Sequence, residues 1–112
     1  MFLVTAPSFA TQTLNCETSA NMTTSWQESD QISYKIEVDG QVVSSVAIRF
    51  ANNKKRDVNA VSPKPIKDGN SISVIVADGM DLVHEIRLTG DGVQTTIFED
   101  GIYVGSESLS CK

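Results

Sequence analysis

The sequence has few of the residues on which metal sites and redox centres depend. Its 112 residues include two cysteines, one histidine and one tryptophan. Neither cysteine has a second ligand at C-x-x-C spacing, so a zinc site is not expected. No stretch approaches the roughly 18 consecutive apolar residues that cross a bilayer as a helix. We therefore expect no metal, no cofactor and no integral membrane segment.

Catalytic motifs are also lacking. No G-x-S-x-G sequence surrounds any serine, and such a turn is what exposes the nucleophile in many hydrolases. The one histidine, His84, alternates with Leu82 and Ile86 on the apolar side of its segment. A catalytic histidine needs a nucleophile or a carboxylate beside it, and the sequence shows neither. We predict that His84 is a hydrogen-bonded residue of the core or its rim, and that the protein is not an enzyme.

The charge is unevenly distributed. The formal net charge is −5, which argues against a general nucleic-acid binder, because phosphate neutralisation dominates the affinity for such polymers. Residues 54–67 nevertheless contain five basic residues and one acidic residue, whereas residues 68–112 contain two basic and eight acidic residues. We call residues 54–67 the basic segment.

The first ten residues resemble the end of a secretion signal. Ser8-Phe9-Ala10 has the small-x-small pattern found before a signal-peptidase cleavage site, although no positive charge precedes the apolar part. We predict that residues 1–10 are a signal remnant or a disordered tail and that residues 11–112 form one domain. Asn21-Met22-Thr23 is an N-glycosylation sequon, which matters only in a eukaryotic secretory pathway.

Hydrophobic alternation predicts a protein made of β-strands. Residues 32–38 alternate between apolar and polar side chains, the period of a half-buried strand. Asp39-Gly40 is expected to supply both positive-φ positions of a type I′ turn, and five of the seven glycines follow an aspartate. In residues 41–51, Val42, Val46, Ile48 and Phe50 are expected to share one face with Ser44. Further strands are predicted at residues 13–17, 22–27, 58–61, 71–77, 80–89, 93–98 and 102–104.

Seven or eight short strands joined by hairpins favour an all-β fold, an antiparallel meander that closes as a β-barrel or packs as a two-sheet β-sandwich. The turn aspartates do not follow the spacing of an EF-hand loop, so we expect no calcium site. Cys16 and Cys111 lie near the two ends of the domain and are predicted to form a disulfide that ties the terminal strands together. Such a bond is typical of a secreted or periplasmic protein.

The basic segment is the candidate binding site. Residues 52–67 are predicted to form a long loop with room for a short edge strand at residues 58–61, because Pro63 and Pro65 cannot donate to a central ladder. A charged loop of this kind suits an anionic partner, either a protein or a cell-envelope polymer. The alternative is a loop whose charges only keep it soluble. The candidate partner-binding residues are Lys54, Lys55, Arg56, Lys64 and Lys67.

The small size and terminal cysteines are similar to those of the periplasmic inhibitors of c-type lysozyme, which are small disulfide-bonded β-barrels. The resemblance implies that the chain inhibits a hydrolase. That family carries an inhibitory Ser-Gly-x-x-Tyr motif, and Asp100-Gly101-Ile102-Tyr103 lacks the serine, so no site residue is carried over.

Three functions remain open. The first is a secreted or periplasmic, monomeric binding module that recognises a protein or cell-envelope partner. The second is a carrier that holds a small apolar ligand in the barrel interior, although few mature residues leave little room there. The third is a structural or adhesion subunit that associates through a sheet edge.

Overall fold

The computed structural model describes residues 12–18, 22–23, 29–52, 54–68, 71–78 and 81–112. These residues form strands and one 3-10 turn, Lys54–Arg56, so the predicted all-β class is confirmed. The predicted signal remnant, Asn21 and most of the strand at residues 22–27 lie outside the described residues. The strands are β1 (Gln12–Glu17), β2 (Met22–Thr23), β3 (Ser29–Asp30), β4 (Ile32–Asp39), β5 (Val42–Phe50), β6 (Val58–Val61), β7 (Lys64–Asp68), β8 (Ser71–Ala77), β9 (Leu82–Thr89), β10 (Gly92–Glu99), β11 (Ile102–Ser108) and β12 (Ser110–Cys111).

The strands form two five-stranded antiparallel sheets that face each other as a β-sandwich. Sheet 1 has the order β12-β1-β4-β5-β6, sheet 2 has the order β11-β10-β9-β8-β7, and β2 pairs with β3 separately. The inner faces meet where Tyr34 and Phe50 of sheet 1 contact the ring of His84 in sheet 2. Every second residue of β4 is buried, as the alternation predicted. The hydrophobic core therefore lies between the two sheets.

The alternative of a closed barrel is wrong. Among the described strands, no ladder joins β6 to β7 or β11 to β12; at both places the chain itself passes from one sheet to the other. The first crossing uses Ser62, which has a φ of 50°, and Pro63, which has no N–H to offer a neighbouring strand. At the second crossing, the N–H of Leu109 donates to the carbonyl of Val93 at 2.8 Å. The meander therefore folds over itself in two layers.

Within the predicted long loop at residues 52–67, the short edge strand at residues 58–61 is confirmed as β6, but the rest of the loop prediction is wrong. The 3-10 turn, β6 and β7 occupy most of it. Pro65 lies within β7 opposite Val74, and β7 is the last strand of sheet 2, so its outer side needs no donor. Proline is tolerated at such an edge position. Pro65 therefore marks an edge strand instead of an irregular loop, and Pro63 precedes it at the crossing between the sheets.

A β-bulge changes the face on which one valine lies. The register between β4 and β5 shifts between Glu37 and Val38, so Val38 pairs with Val43 and Ser44 is the extra residue. As a result Val43 is buried and Val42 is exposed, the opposite of the predicted placement. The Ser44 hydroxyl donates to the carbonyl of Glu37 at 3.1 Å, which holds the bulge. Bulges of this kind strengthen the local twist of a strand pair.

Two of the Asp-Gly pairs make different turns. Asp39 pairs with Val42 as a strand residue, and only Gly40 has a positive φ, 68°. The turn is therefore centred on Gly40 and Gln41 and has positive φ at its first central residue alone, so the predicted type I′ turn at Asp39-Gly40 is wrong in both position and type. Asp100 and Gly101 both have positive φ, 52° and 81°, as a type I′ turn requires.

The predicted Cys16–Cys111 disulfide is confirmed, and it joins β1 to β12. The two residues are direct partners in the ladder, with Cα atoms 3.9 Å apart. On one side of this pair, Asn15 and Lys112 exchange both backbone hydrogen bonds, so the cysteines occupy the closer, non-hydrogen-bonded spacing. The bond therefore fixes the register of the two-residue strand β12.

We expect the Cys16→Ser, Cys111→Ser double variant to lose about 3–5 kcal/mol of unfolding free energy, because the bond closes a loop of 95 residues in the unfolded chain. Urea denaturation measures this loss, and wild-type protein kept in reductant is the matched control and should show the same lower midpoint. An unchanged midpoint in both samples would mean that the ladder holds without its covalent link.

Candidate functional site

The five residues of the predicted site do not form one free patch. Lys54 and Lys55 are exposed on the 3-10 turn, and Lys64 is exposed at the start of β7. Arg56 is only 7% exposed, so its guanidinium faces the protein instead of the solvent. The side chain of Lys67 lies outside the described part of the chain. Among the described side chains, the basic segment thus offers three lysines at the surface.

Arg56 links the two sheets. It follows β5 of sheet 1, and its Nη1 lies 2.9 Å from Asp78 Oδ2 and 2.6 Å from Asp81 Oδ1, in the connection between β8 and β9 of sheet 2. The Asp78 side chain is fully buried, and its Oδ1 accepts from the N–H of Leu82 at 3.2 Å. Charge-assisted hydrogen bonds of this kind are strong because both partners are ionised. The most buried cation of the basic segment therefore has a structural partner.

The carboxylates around Arg56 have shifted acidities. The hydrogen bond from Arg56 lowers the pKa of Asp81. Partial burial, together with a hydrogen bond to Asp81, raises the pKa of Glu99. Across the described residues, no group of three or more His, Cys, Asp or Glu side chains is arranged to hold a metal ion. In this cluster the acidic side chains offset the positive charge of Arg56.

His84 lies in the core, as predicted. Its Nδ1 is 3.0 Å from the Tyr34 hydroxyl, which is also 3.0 Å from Thr95 Oγ1. The Tyr34 hydroxyl has one hydrogen to give, so one of its two neighbours must donate to it. Burial lowers the pKa of His84 to about 4 and raises the pKa of Tyr34. The imidazole is therefore neutral at pH 7. It packs between the sheets against residues of sheet 1.

A shallow groove crosses the outer face of sheet 1, and we call it the sheet 1 groove. One part has a volume of about 310 Å³ and is lined by β1, β4, β5 and β12. A second part, also of about 310 Å³, extends to β6 and shares Lys35, Ala47 and Arg49 with the first. Small side chains such as Ser33 and Ala47 form the floor of the groove, and longer side chains form its walls. The groove runs across the strands for most of the width of the sheet.

Cations surround the floor of this groove. Register places Ser33 between Glu17 and Arg49, and it places Lys35 opposite Ala47. Lys112 lines the end of the groove near β12. Three basic side chains, Lys35, Arg49 and Lys112, thus share the groove with Glu17 and, in its second part, Glu37.

Arg49 is held in place by its neighbours. Its Nη1 donates to the carbonyl of Val58 at 3.1 Å, and its Nη2 donates to Asn59 Oδ1 at 3.0 Å. Asp57 lies 3.9 Å from its Nε and offsets part of its charge. Arg49 is therefore a wall held by its neighbours, whereas Lys35 and Lys112 are exposed.

The sequence alone did not single out this groove. Its residues come from both ends of the chain and from three consecutive strands, and only the register brings them together. One pattern in the sequence could have indicated it. The solvent-facing positions of β4 and β5 combine small side chains, Ser33 and Ala47, with basic ones, Lys35 and Arg49. A solvent-facing sheet is usually covered by longer residues, so small residues beside cations indicate a depression.

The acidic residues are concentrated on the other layer. Among the described side chains, sheet 2 and its turns carry seven acidic residues against two basic ones, Lys64 and Arg87. Sheet 1 with its turns carries four acidic and six basic ones. The negative charge of the described side chains is therefore concentrated on sheet 2. Its acidic residues are Asp78, Asp81, Glu85, Asp91, Glu99, Asp100 and Glu107.

We expect Arg56→Met to lower the unfolding free energy by about 3 kcal/mol, because it leaves the buried Asp78 carboxylate without its ionic partner. Chemical denaturation at pH 7 measures the change. Lys55→Met is the matched control, since Lys55 is exposed on the same turn, and should shift stability by no more than about 0.5 kcal/mol. Equal effects would contradict the structural role of Arg56.

Stability should fall in acid partly because of His84. Its pKa is about 4 in the folded protein against an ordinary value of 6.5, so below pH 6.5 the unfolded chain binds the extra proton. This contribution is complete above pH 6.5, and about 3 kcal/mol is lost as the pH falls towards 4.

NMR titration of the His84 imidazole should show no protonation above about pH 5. Because carboxylates titrate in the same range, unfolding free energies of the wild type and His84→Gln should be compared at each pH, and the difference isolates His84. An ordinary pKa near 6.5 would place the ring in contact with solvent.

The part of the chain that the structure describes contains no helix long and apolar enough to cross a membrane. Comparisons with protein-family models, with curated proteins and with solved structures find no match to this chain. The sheet 1 groove and the basic segment are therefore judged on their own geometry and chemistry.

Proposed function

We propose that the protein is a small, non-enzymatic binding module that recognises an anionic partner through the outer face of sheet 1. The observation that carries the proposal is the sheet 1 groove, where Lys35, Arg49 and Lys112 surround a floor of small side chains. A ligand in this groove would lie against fixed backbone, because the floor belongs to the central strands of the sheet. Rigid sites lose little conformational freedom on binding.

The partner in this proposal is an acidic protein surface or an anionic cell-envelope polymer. An aromatic platform for stacking is not part of the groove, since Tyr34, its one aromatic lining residue, has its side chain in the core. Recognition then depends on charge and on hydrogen bonds from Asn15, Ser33 and Ser110. Lys54 and Lys55 extend the basic surface on the turn that follows β5, which keeps the basic segment within the proposed site.

Inhibition of a hydrolase such as a lysozyme belongs to the same proposal. The protein would act by occluding the enzyme, because a sandwich of this size presents a firm, disulfide-held surface. Titration of the protein into a panel of lysozymes tests it, and unchanged activity throughout would remove this function while leaving the groove itself to be tested separately.

The alternative of an internal ligand carrier finds little support. Tyr34, Phe50 and His84 fill the space between the sheets and are each at most 1% exposed. We also propose that the protein is exported to the periplasm or the cell exterior as a monomer. The disulfide supports export, because such bonds persist in oxidising compartments.

We expect the double variant Lys35→Ser, Lys112→Ser to bind poly-L-glutamate and polygalacturonate at least about fivefold more weakly than the wild type, because two of the three basic side chains of the groove are lost. Isothermal titration near physiological salt measures the affinities. A response to one polymer alone assigns the partner class.

The matched control is Lys64→Ser, Arg87→Ser, which removes the same net charge from the outer face of sheet 2. If the control weakens binding as much as the groove variant does, attraction is unspecific and the groove is not the site. A third variant, Lys54→Ser, Lys55→Ser, measures how far the turn contributes.

A further inference from the structure

The outer edge of β1 is covered over only part of its length. The short strand β12 pairs with Cys16 and Glu17, and Lys112 exchanges both backbone hydrogen bonds with Asn15. Backbone groups of an antiparallel strand alternate between its two edges, so the N–H and C=O of Thr13 point the same way as those of Asn15. Among the described residues, no strand receives them there.

A slot with both polar and apolar lining residues lies beside this uncovered edge. It has a volume of about 390 Å³ and opens between the two sheets at the end where β9 turns into β10. Leu14 and Val38 line it from sheet 1, and Leu88 and Val93 line it from sheet 2; Asp91 and Cys111 stand at its rim. Its volume lies within the range of about 300–1,000 Å³ that is usual for ligand pockets.

We propose that the β1 edge and the slot together form a strand-addition site for an extended segment of a partner polypeptide. The added strand would continue the line of β12, bond to Thr13 with its backbone, and place alternate side chains in the slot. This mode of binding combines main-chain hydrogen bonds for affinity with side-chain pockets for specificity. It uses a surface separate from the sheet 1 groove and does not depend on the function proposed above.

The register fixes which side chains enter the slot. Cys111 pairs with the buried Cys16 and so lies on the same face of sheet 1; in a continuing strand the residues opposite Leu14 and Gln12 lie on that inner face as well. Both positions border the slot. The intervening residue, opposite Thr13, points to solvent. The site therefore selects a segment with two apolar residues separated by one polar residue.

Charge indicates a basic segment from a foreign chain. Asp91 lies at the rim of the slot, and Asp39 ends the neighbouring strand β4 on the same side of the molecule. A lysine that follows the second apolar residue would lie on the outer face in the row of Asp39 and meet that carboxylate, while Asp91 adds negative potential at the rim of the slot. A second copy of this protein fits less well, because each copy carries a net charge of −5 and offers only a short free edge.

The probe is an acetylated, amidated peptide, Lys-Val-Thr-Val-Lys, titrated into the intact ¹⁵N-labelled protein. We expect saturable shifts at Gln12, Thr13, Leu14, Leu88 and Val93, and slower amide exchange at Thr13. Thr13→Pro removes the outward N–H and should weaken binding by about tenfold or more. Thr13→Val keeps the N–H and should bind as the wild type does.

Two further measurements keep the proposal testable if Thr13→Pro fails to fold. A peptide N-methylated at its central threonine, which faces Thr13, should bind more weakly, as should one with both valines changed to serine. Equal binding of all peptides, or shifts confined to the sheet 1 groove, would overturn the proposal. Concentration-dependent dimerisation that Thr13→Pro abolishes would also overturn it, because the strand would then come from a second copy.

Discussion

The pairing of Cys16 with Cys111 is the constraint on which the architecture depends. The chain passes through sheet 1, crosses to sheet 2 at Ser62, and crosses back at Leu109, so its last strand returns to the edge where its first strand lies. Two residues of ladder are too few to hold that return, because each hydrogen bond contributes only about 1 kcal/mol net. The covalent bond makes it permanent, and the closure of the sandwich on that side follows.

The disulfide lies within sheet 1, and the two layers are joined by other contacts. Arg56 reaches from the turn after β5 to Asp78 and Asp81 between β8 and β9. Tyr34 contacts His84 and Thr95 in the interior. An ion pair and a neutral polar contact thus hold two places of the interface between the sheets. None of these contacts between the sheets uses the outer face of sheet 1, where the hydrogen bonds described above fix Arg49.

The sequence was informative wherever local pattern decides structure. The alternation in residues 32–38 predicted both β4 and its buried face. The apolar residues that share a face with His84 predicted its place in the core. The positions of the two cysteines near the ends of the domain predicted the disulfide. Features that depend on register could not be predicted in this way. Ser44 became a bulge because of its partner strand, Pro65 was acceptable because β7 is an edge, and Arg56 was buried because its carboxylates come from a distant turn. The sheet 1 groove belongs to the same group, since its cations meet only after five strands are paired.

The division of charge between the layers has a consequence for how the molecule meets a charged surface. Sheet 2 is strongly acidic, and the groove side is close to neutral with local positive charge. At low ionic strength the overall charge of −5 repels an anionic polymer before the groove can reach it. With a Debye length of about 8–10 Å near physiological salt, that long-range repulsion is screened while contacts in the groove still act. For the proposed binding of an anionic polymer, association would then be fastest at intermediate ionic strength, instead of slowing steadily as salt is added.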